Sequence, residues 1–282
     1  MKYVITACLA LTLFVLTGCN SREHPHAQMQ QAQMQSVDRF YKMVLALDVR
    51  GIASKETIDQ LSPLISNDLH MALLQALVAE TQHIRETKGE EAPLFEGPLF
   101  LGVWEGAQRV SDVRWDGRTD QVSYWVTLAS DSPDGKQPAN SWQDRVVLVQ
   151  ENGRWVVDDL VFLAADVGAN ARTLLKSLRQ GRNCQDPETQ TDMNICADQT
   201  YQVEIMLMND GYKQLLGETD AKRQQSLKTA QLAWVKFRDL QCEHEASASE
   251  GGSIQPLIRS TCLIDLTRQR SKELKALLEE EH

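Results

Sequence analysis

Four cysteines, two histidines and a pair of adjacent aspartates are the side chains of this 282-residue sequence whose chemistry can be traced first. Cys184, Cys196, Cys242 and Cys262 all fall from residue 184 onward, at spacings of 12, 46 and 20 residues. Those spacings fit neither a zinc ribbon nor a Cys-x-x-Cys redox pair, so in an oxidising compartment an even set of four predicts two structural disulfides. Cys242-Glu243-His244-Glu245 offers metal-ligating types, but neighbouring residues on a helix end point in different directions and a bridged cysteine has no thiolate to give, so no metal is expected. His70 or His83 with Asp158 or Asp159 would make a general acid/base pair if the fold joined them. No nucleophile elbow, zinc-protease helix, phosphate loop or dinucleotide fingerprint occurs, so the reading is a binding protein with no cofactor, not an enzyme.

The compartment follows from the N-terminus. Met1-Lys2, an apolar run from Tyr3 to Leu16 and the small residues Thr17-Gly18 make an export signal over residues 1–18. No later stretch approaches the roughly 20 apolar residues a membrane helix needs. Leu16-Thr17-Gly18-Cys19 resembles the bacterial lipobox, which implies that Cys19 becomes an acylated first residue and anchors the chain to a membrane. Asn20 stands where an aspartate would imply inner-membrane retention, so the resemblance implies the periplasmic face of the outer membrane. Losing residues 1–18 removes Lys2 alone, leaving 28 basic against 39 acidic residues, a net charge of −11. Nucleic acid, which demands a basic face, is excluded as a partner; a cationic protein is compatible.

Residues 19–36 are polar and Gln-rich, a composition that predicts a flexible tether lifting the body off the membrane. His24, His26, Met29 and Met34 carry copper-ligand types, but a spacer is the simpler reading. Helical spacing then runs through Val37, Phe40, Tyr41, Val44 and Leu47, through Ile58, Leu61 and Leu64, and through Leu69, Leu73, Leu77 and Ile84. After Pro93 and Pro98 the period alternates. Strands are expected over 108–114 and 122–128 around Trp115-Asp116-Gly117, and over 146–150 and 155–162 around Asn152-Gly153. Three helices followed by a curved antiparallel sheet, with Phe40-Tyr41 early and Gly153-Arg154-Trp155-Val156-Val157-Asp158-Asp159 late, resemble the NTF2-like cone fold of an uncharacterised envelope-lipoprotein type. The resemblance implies an α+β domain over residues 37–165 with a pocket between helices and sheet.

A linker helix is expected over 166–183, with Leu174, Leu175 and Leu178 inward and Arg172, Arg179 and Arg182 solvated. Residues 184–282 carry three amphipathic stripes: Tyr201, Ile205, Met208, Tyr212 and Leu215; Leu227, Ala230, Trp234 and Phe237; Leu263, Leu266, Leu274 and Leu277. Such helices on short connections cover one another, so an all-α bundle follows. Trp234 and Phe237 read as its core and Arg238 as a polar partner. The ordered set Cys184, Asp192-Met193-Asn194, Cys196, Met208-Asn209, Tyr212, Gln231, Trp234, Phe237-Arg238-Asp239, Cys242, Gly251-Gly252-Ser253, Cys262, Thr267 and Arg270 resembles the LprI-type lysozyme inhibitor domain. Met208 departs from the leucine usual in that family, a swap of similar volume.

That resemblance implies a helical domain stapled at one end. Cys184–Cys196 with Cys242–Cys262 is the first pairing it suggests, with Cys196–Cys242 left open. It also implies c-type lysozyme as a partner. The acidic stretch Glu243 to Gln255, with Glu243, Glu245, Glu250 and Ser253, is the candidate partner-binding loop. The alternative is an adaptor lipoprotein of envelope maintenance whose N-terminal domain holds a small ligand.

Overall fold

The structure, a computed structural model, describes residues 25–104, 106–131, 138–163, 172–179, 184 and 186–280. Cys19 and His24 therefore lie outside the described residues, as does Arg182. Helix α1 (Pro25–Leu47) buries Val37, Phe40, Tyr41 and Val44 at helical spacing against a sheet. Helix α2 (Lys55–Leu61) starts at Ser54, whose hydroxyl accepts from the Thr57 amide, and a 3-10 turn at Ser62–Leu64 follows it. Helix α3 (Asn67–Thr87) is capped by Ser66 and ends at Lys88 in the left-handed region.

The sheet has the order β1-β2-β3-β4-β5 and is antiparallel throughout: β1 (Arg109–Trp115), β2 (Val122–Asp131), β3 (Pro138–Glu151), β4 (Arg154–Phe162) and β5 (Arg172–Thr173). Asn152 and Gly153, with φ of 50° and 75°, form the two-residue turn that their sequence predicts between β3 and β4. One continuous apolar core joins α1 to α3 with the inner faces of β2, β3 and β4. Asp144 sits within it, fully buried, accepting from the Gly102 amide at 3.0 Å, the Trp142 indole at 3.3 Å and the Leu163 amide at 3.4 Å. Burial pushes its carboxyl above the ordinary aspartate value, against the pull of those three donors.

Two expectations about connecting segments change here. Residues 25–36 are helix, not tether, because Gln33 and Ser36 are buried on the sheet: the Tyr124 hydroxyl donates to Gln33 Oε1 and the Ser36 hydroxyl to the Trp155 carbonyl, each at 2.7 Å. Polar side chains there dock by hydrogen bonds, which hydrophobic spacing does not register. In place of a long linker helix, the described part of 166–183 is strand β5 and the five-residue helix α4 (Leu174–Leu178), with Leu174 and Leu178 buried. Arg172 is exposed, as expected, with its guanidinium 5.5 Å from the Phe162 ring centre, whereas Arg179 is partly buried and paired to Asp68 at 2.6 Å.

The C-terminal region is three long helices, α5 (Gln190–Glu218), α6 (Ala221–Ser247) and α7 (Gln255–Glu280). Helix α7 packs on both α5 and α6, and α5 packs on α3. The two domains are tied by Lys55, which reaches Asp59 at 2.7 Å and Asp210 at 3.1 Å, by Gln75 donating to Thr200 at 3.2 Å, and by Val203 of α5, which joins the N-terminal core. No helix among the described residues is long and apolar enough to cross a membrane.

Candidate binding surface

The C-terminal helices are held by sulfur and by a polar middle layer. Cys184 is bonded to Cys196 and Cys242 to Cys262, so of the two pairings left open this one is present. The second bridge sits in a small apolar cluster with Tyr201, Leu263 and Ile264; a separate cluster of Met208, Leu215 and Leu274 lies toward the other end. Between them the packing is polar. Arg268 donates to the buried Glu204 at 2.7 Å, Arg270 to Gln231 at 3.0 Å, and Gln231 to the Met208 sulfur at 3.6 Å.

Arg238 is the centre of this layer. It is 6% exposed, its guanidinium lies 5.5 Å from the Tyr201 ring centre and 5.2 Å from that of Trp234, and two of its nitrogens donate to one oxygen of Asp239. Arg270 covers Trp234 as well, at 5.9 Å. A desolvated cation over an aromatic face is worth up to about 2 kcal/mol, and the arginine stem fills apolar volume besides. Burial pushes the Tyr201 phenol up, with the Arg238 charge opposing.

This packing overturns the reading of Phe237 as core. The buried stripe of α6 is Gln231, Arg238, Cys242 and Ala246, with Trp234 half-buried among them. The apolar stripe expected from spacing, through Ala230, Trp234 and Phe237, is rotated by about one residue from it. Phe237 is 53% exposed, and the neighbouring Leu232 and Leu240 are 73% and 62% exposed. Three large apolar side chains thus stand on the outward side of one helix, flanked by the exposed Lys236. Patches of that kind on a stable domain mark contact surfaces.

The candidate loop is in part helix. Glu243 and Glu245 lie within α6, and only Glu250 and Ser253 lie in the connection to α7. Backbone bonds from Ser249 to Ala246, Glu250 to Ser247 and Gly252 to Ser249 wind it into successive turns, with Gly251 at φ 74°. The Ser253 carbonyl accepts from Asn194 at 3.0 Å, which pins the connection to α5. Glu243 is paired with Arg259 at 3.2 Å, and Glu245 and Glu250 are exposed. Four of the predicted residues therefore sit at one end of α6, adjoining the apolar patch.

The other predicted chemistry is not assembled. His83 Nε2 lies 2.9 Å from the Ala92 carbonyl, burial pushes the His70 imidazole below its ordinary value with the Asp59 charge opposing, and Asp159 accepts the Leu160 and Leu175 amides at the start of α4. Cys242, Glu245 and Cys262 approach closely enough to suggest a metal trio, but both sulfurs are spent on their disulfide. A cleft of about 600 Å³ lies between α3 and α5, floored by Leu77, Val78, Ile205 and Met206. A smaller one of about 290 Å³ opens in the N-terminal domain at the end of α1, between Val44, Leu45, Arg50, Phe100 and Gln108.

Taken together, the chain is a two-part molecule: an antiparallel-sheet domain fused to a disulfide-stapled helical domain that presents an outward apolar helix face. Residues 182–274 match the family model described as Lysozyme inhibitor LprI, and through them the chain belongs to the LprI family. Uncharacterized protein R02472 of Rhizobium meliloti (strain 1021) is 38% identical over 131 residues, covering 39% of this chain and 94% of that protein. Uncharacterized lipoprotein YbjP of Escherichia coli (strain K12) is 44% identical over 45 residues, 16% of this chain and 26% of that protein, so the chain spans about a quarter of that relative's length. No solved structure matches the chain.

Proposed function

We propose that this protein is an envelope lipoprotein that binds c-type lysozyme through its C-terminal helical domain and blocks it sterically. The family match over residues 182–274 carries the reading. The lipobox at Cys19 and the lipoprotein name of YbjP support anchoring at the periplasmic face of the outer membrane. In this reading Leu232, Phe237 and Leu240 are the apolar anchors, and Glu243, Glu245 and Glu250 draw in a cationic partner, so association slows as salt rises. The N-terminal domain, as an NTF2-like cone, carries the inhibitor. Titrating purified residues 20–282 into a c-type lysozyme lysis assay tests it: lysis falls with molar ratio, and lysis unchanged at large molar excess refutes it.

The 290 Å³ cleft at the end of α1 favours a second reading, an adaptor lipoprotein whose N-terminal domain holds a small ligand over the apolar floor of Val44, Leu45 and Phe100. Native mass spectrometry of the purified protein then shows a retained mass; a bare polypeptide mass counts against it.

A further inference from the structure

The chain enters the fold at an end of the N-terminal domain that no function has yet claimed. Helix α1 is locked to the sheet at Gln33 and Ser36, by Tyr124 and by the carbonyl of Trp155. Tyr124 and Trp155 lie near the ends of β2 and β4, beside the turns at 116–121 and 152–153, which the antiparallel order places at one end of the sheet. The first residues of α1 run past that same end. From Gln33 back to Pro25 the helix extends about 12 Å, and the β1–β2 turn passes Tyr124 by about 10 Å of extended chain. Helix start and hairpin turns therefore make a common front.

That front differs from the rest of the surface. Trp115, paired with Tyr124 from the edge strand β1, is 49% exposed, and Met29 on α1 is 41% exposed. Its charges balance, Arg114, Arg118, Arg145 and Arg154 standing against Asp112, Asp116, Asp120 and Glu151, in a chain whose net charge is −10. An anionic lipid surface repels the acidic remainder of the molecule but not this end, and an indole is a favoured side chain at a lipid–water boundary.

Resting on the reading that Cys19 is acylated, we propose that this end is a lipid-docking face, held against the membrane with Trp115 and Met29 at the headgroup level. Chain length carries the argument. Residues 20–24 alone separate Cys19 from Pro25; whatever path they take, they span at most about 20 Å. The opposite end of α1, with the exposed Trp104 and the cleft near Arg50, then faces away from the lipid.

The test is hydroxyl-radical footprinting of the full acylated protein in vesicles of phosphatidylethanolamine and phosphatidylglycerol, set against soluble residues 20–282. Oxidation of Trp115 and Met29 is expected to fall several-fold on vesicles, while Trp104 keeps its reactivity. The mass of the Cys19 peptide is read from the same sample. Acylated Cys19 with Trp115 and Met29 as reactive as in the soluble form overturns the docking face and leaves the anchor standing. An unacylated Cys19 overturns both.

Discussion

The two halves of this molecule solve the same problem in different ways. The N-terminal domain folds three helices onto a sheet around a single continuous apolar core, and Asp144, fully buried within it, has three donors. Among the described residues the C-terminal helices pack on one another through two small apolar clusters, separated by a layer of Glu204, Gln231, Arg238 and Arg270, and add two disulfides. A domain too small to bury a large core gains stability from covalent closure. Apolar side chains that would otherwise be needed inside are then free to stand outside, as Leu232, Phe237 and Leu240 do.

Breaking the staple should have the largest effect. The Cys242→Ser, Cys262→Ser double variant is expected to lose about 3 kcal/mol, the closure entropy of its loop; the loss should appear in a melting transition assigned to the helical domain, with the sheet domain's transition retained. Arg238→Leu comes next, at about 2 kcal/mol, since it deletes both ring contacts and the pair with Asp239. Denaturant titration checks this against Phe237→Ser, which should stay within about 0.5 kcal/mol of wild type because its ring is at the surface. If Phe237 proves the costlier of the two, the inverted face of α6 is wrong.

The sheet domain should respond to volume, not to sulfur. A Cβ at Gly102 would come 2.5 Å from Asp144 Oδ1, so Gly102→Ala is expected to cost about 1–3 kcal/mol, measured in the N-terminal transition. The smallest effect is on pH dependence. A carboxyl raised above its unfolded value, as Asp144 is, contributes stability that is fully present below the unfolded value and is lost as pH rises through the folded one. The melting-temperature advantage of wild type over Asp144→Asn should therefore shrink as pH climbs out of the ordinary aspartate range. A gap that widens instead would reverse the assigned shift.

Much of the sheet domain was legible in its sequence. Alternation and the Asn152-Gly153 turn located β2 and β4 to within a few residues, because a half-buried strand must alternate and a two-residue hairpin demands positive φ. The first half of β3 was not, since Pro138 to Arg145 is too polar to show a face. Helix α1 was hidden in its Gln-rich opening for the same reason: Gln33 docks by a hydrogen bond, not by hydrophobicity. The cysteines announced a stapled bundle, and the ordered motif its family. The candidate surface was missed because spacing places Phe237 inward by default, and only the paired rings of Tyr201 and Trp234 explain why an arginine displaced it. Buried Arg238 directly after exposed Phe237 is a pattern that apolar periodicity alone cannot separate from its opposite.

The most direct test compares wild-type residues 20–282 with a Leu232→Ser, Phe237→Ser, Leu240→Ser variant for binding to immobilised c-type lysozyme. The account predicts that wild type binds, and that the variant melts at the same temperature yet loses at least about ten-fold in affinity, the equivalent of about 1.4 kcal/mol. A wild-type protein that does not bind, or a variant that binds as well as wild type, would contradict it.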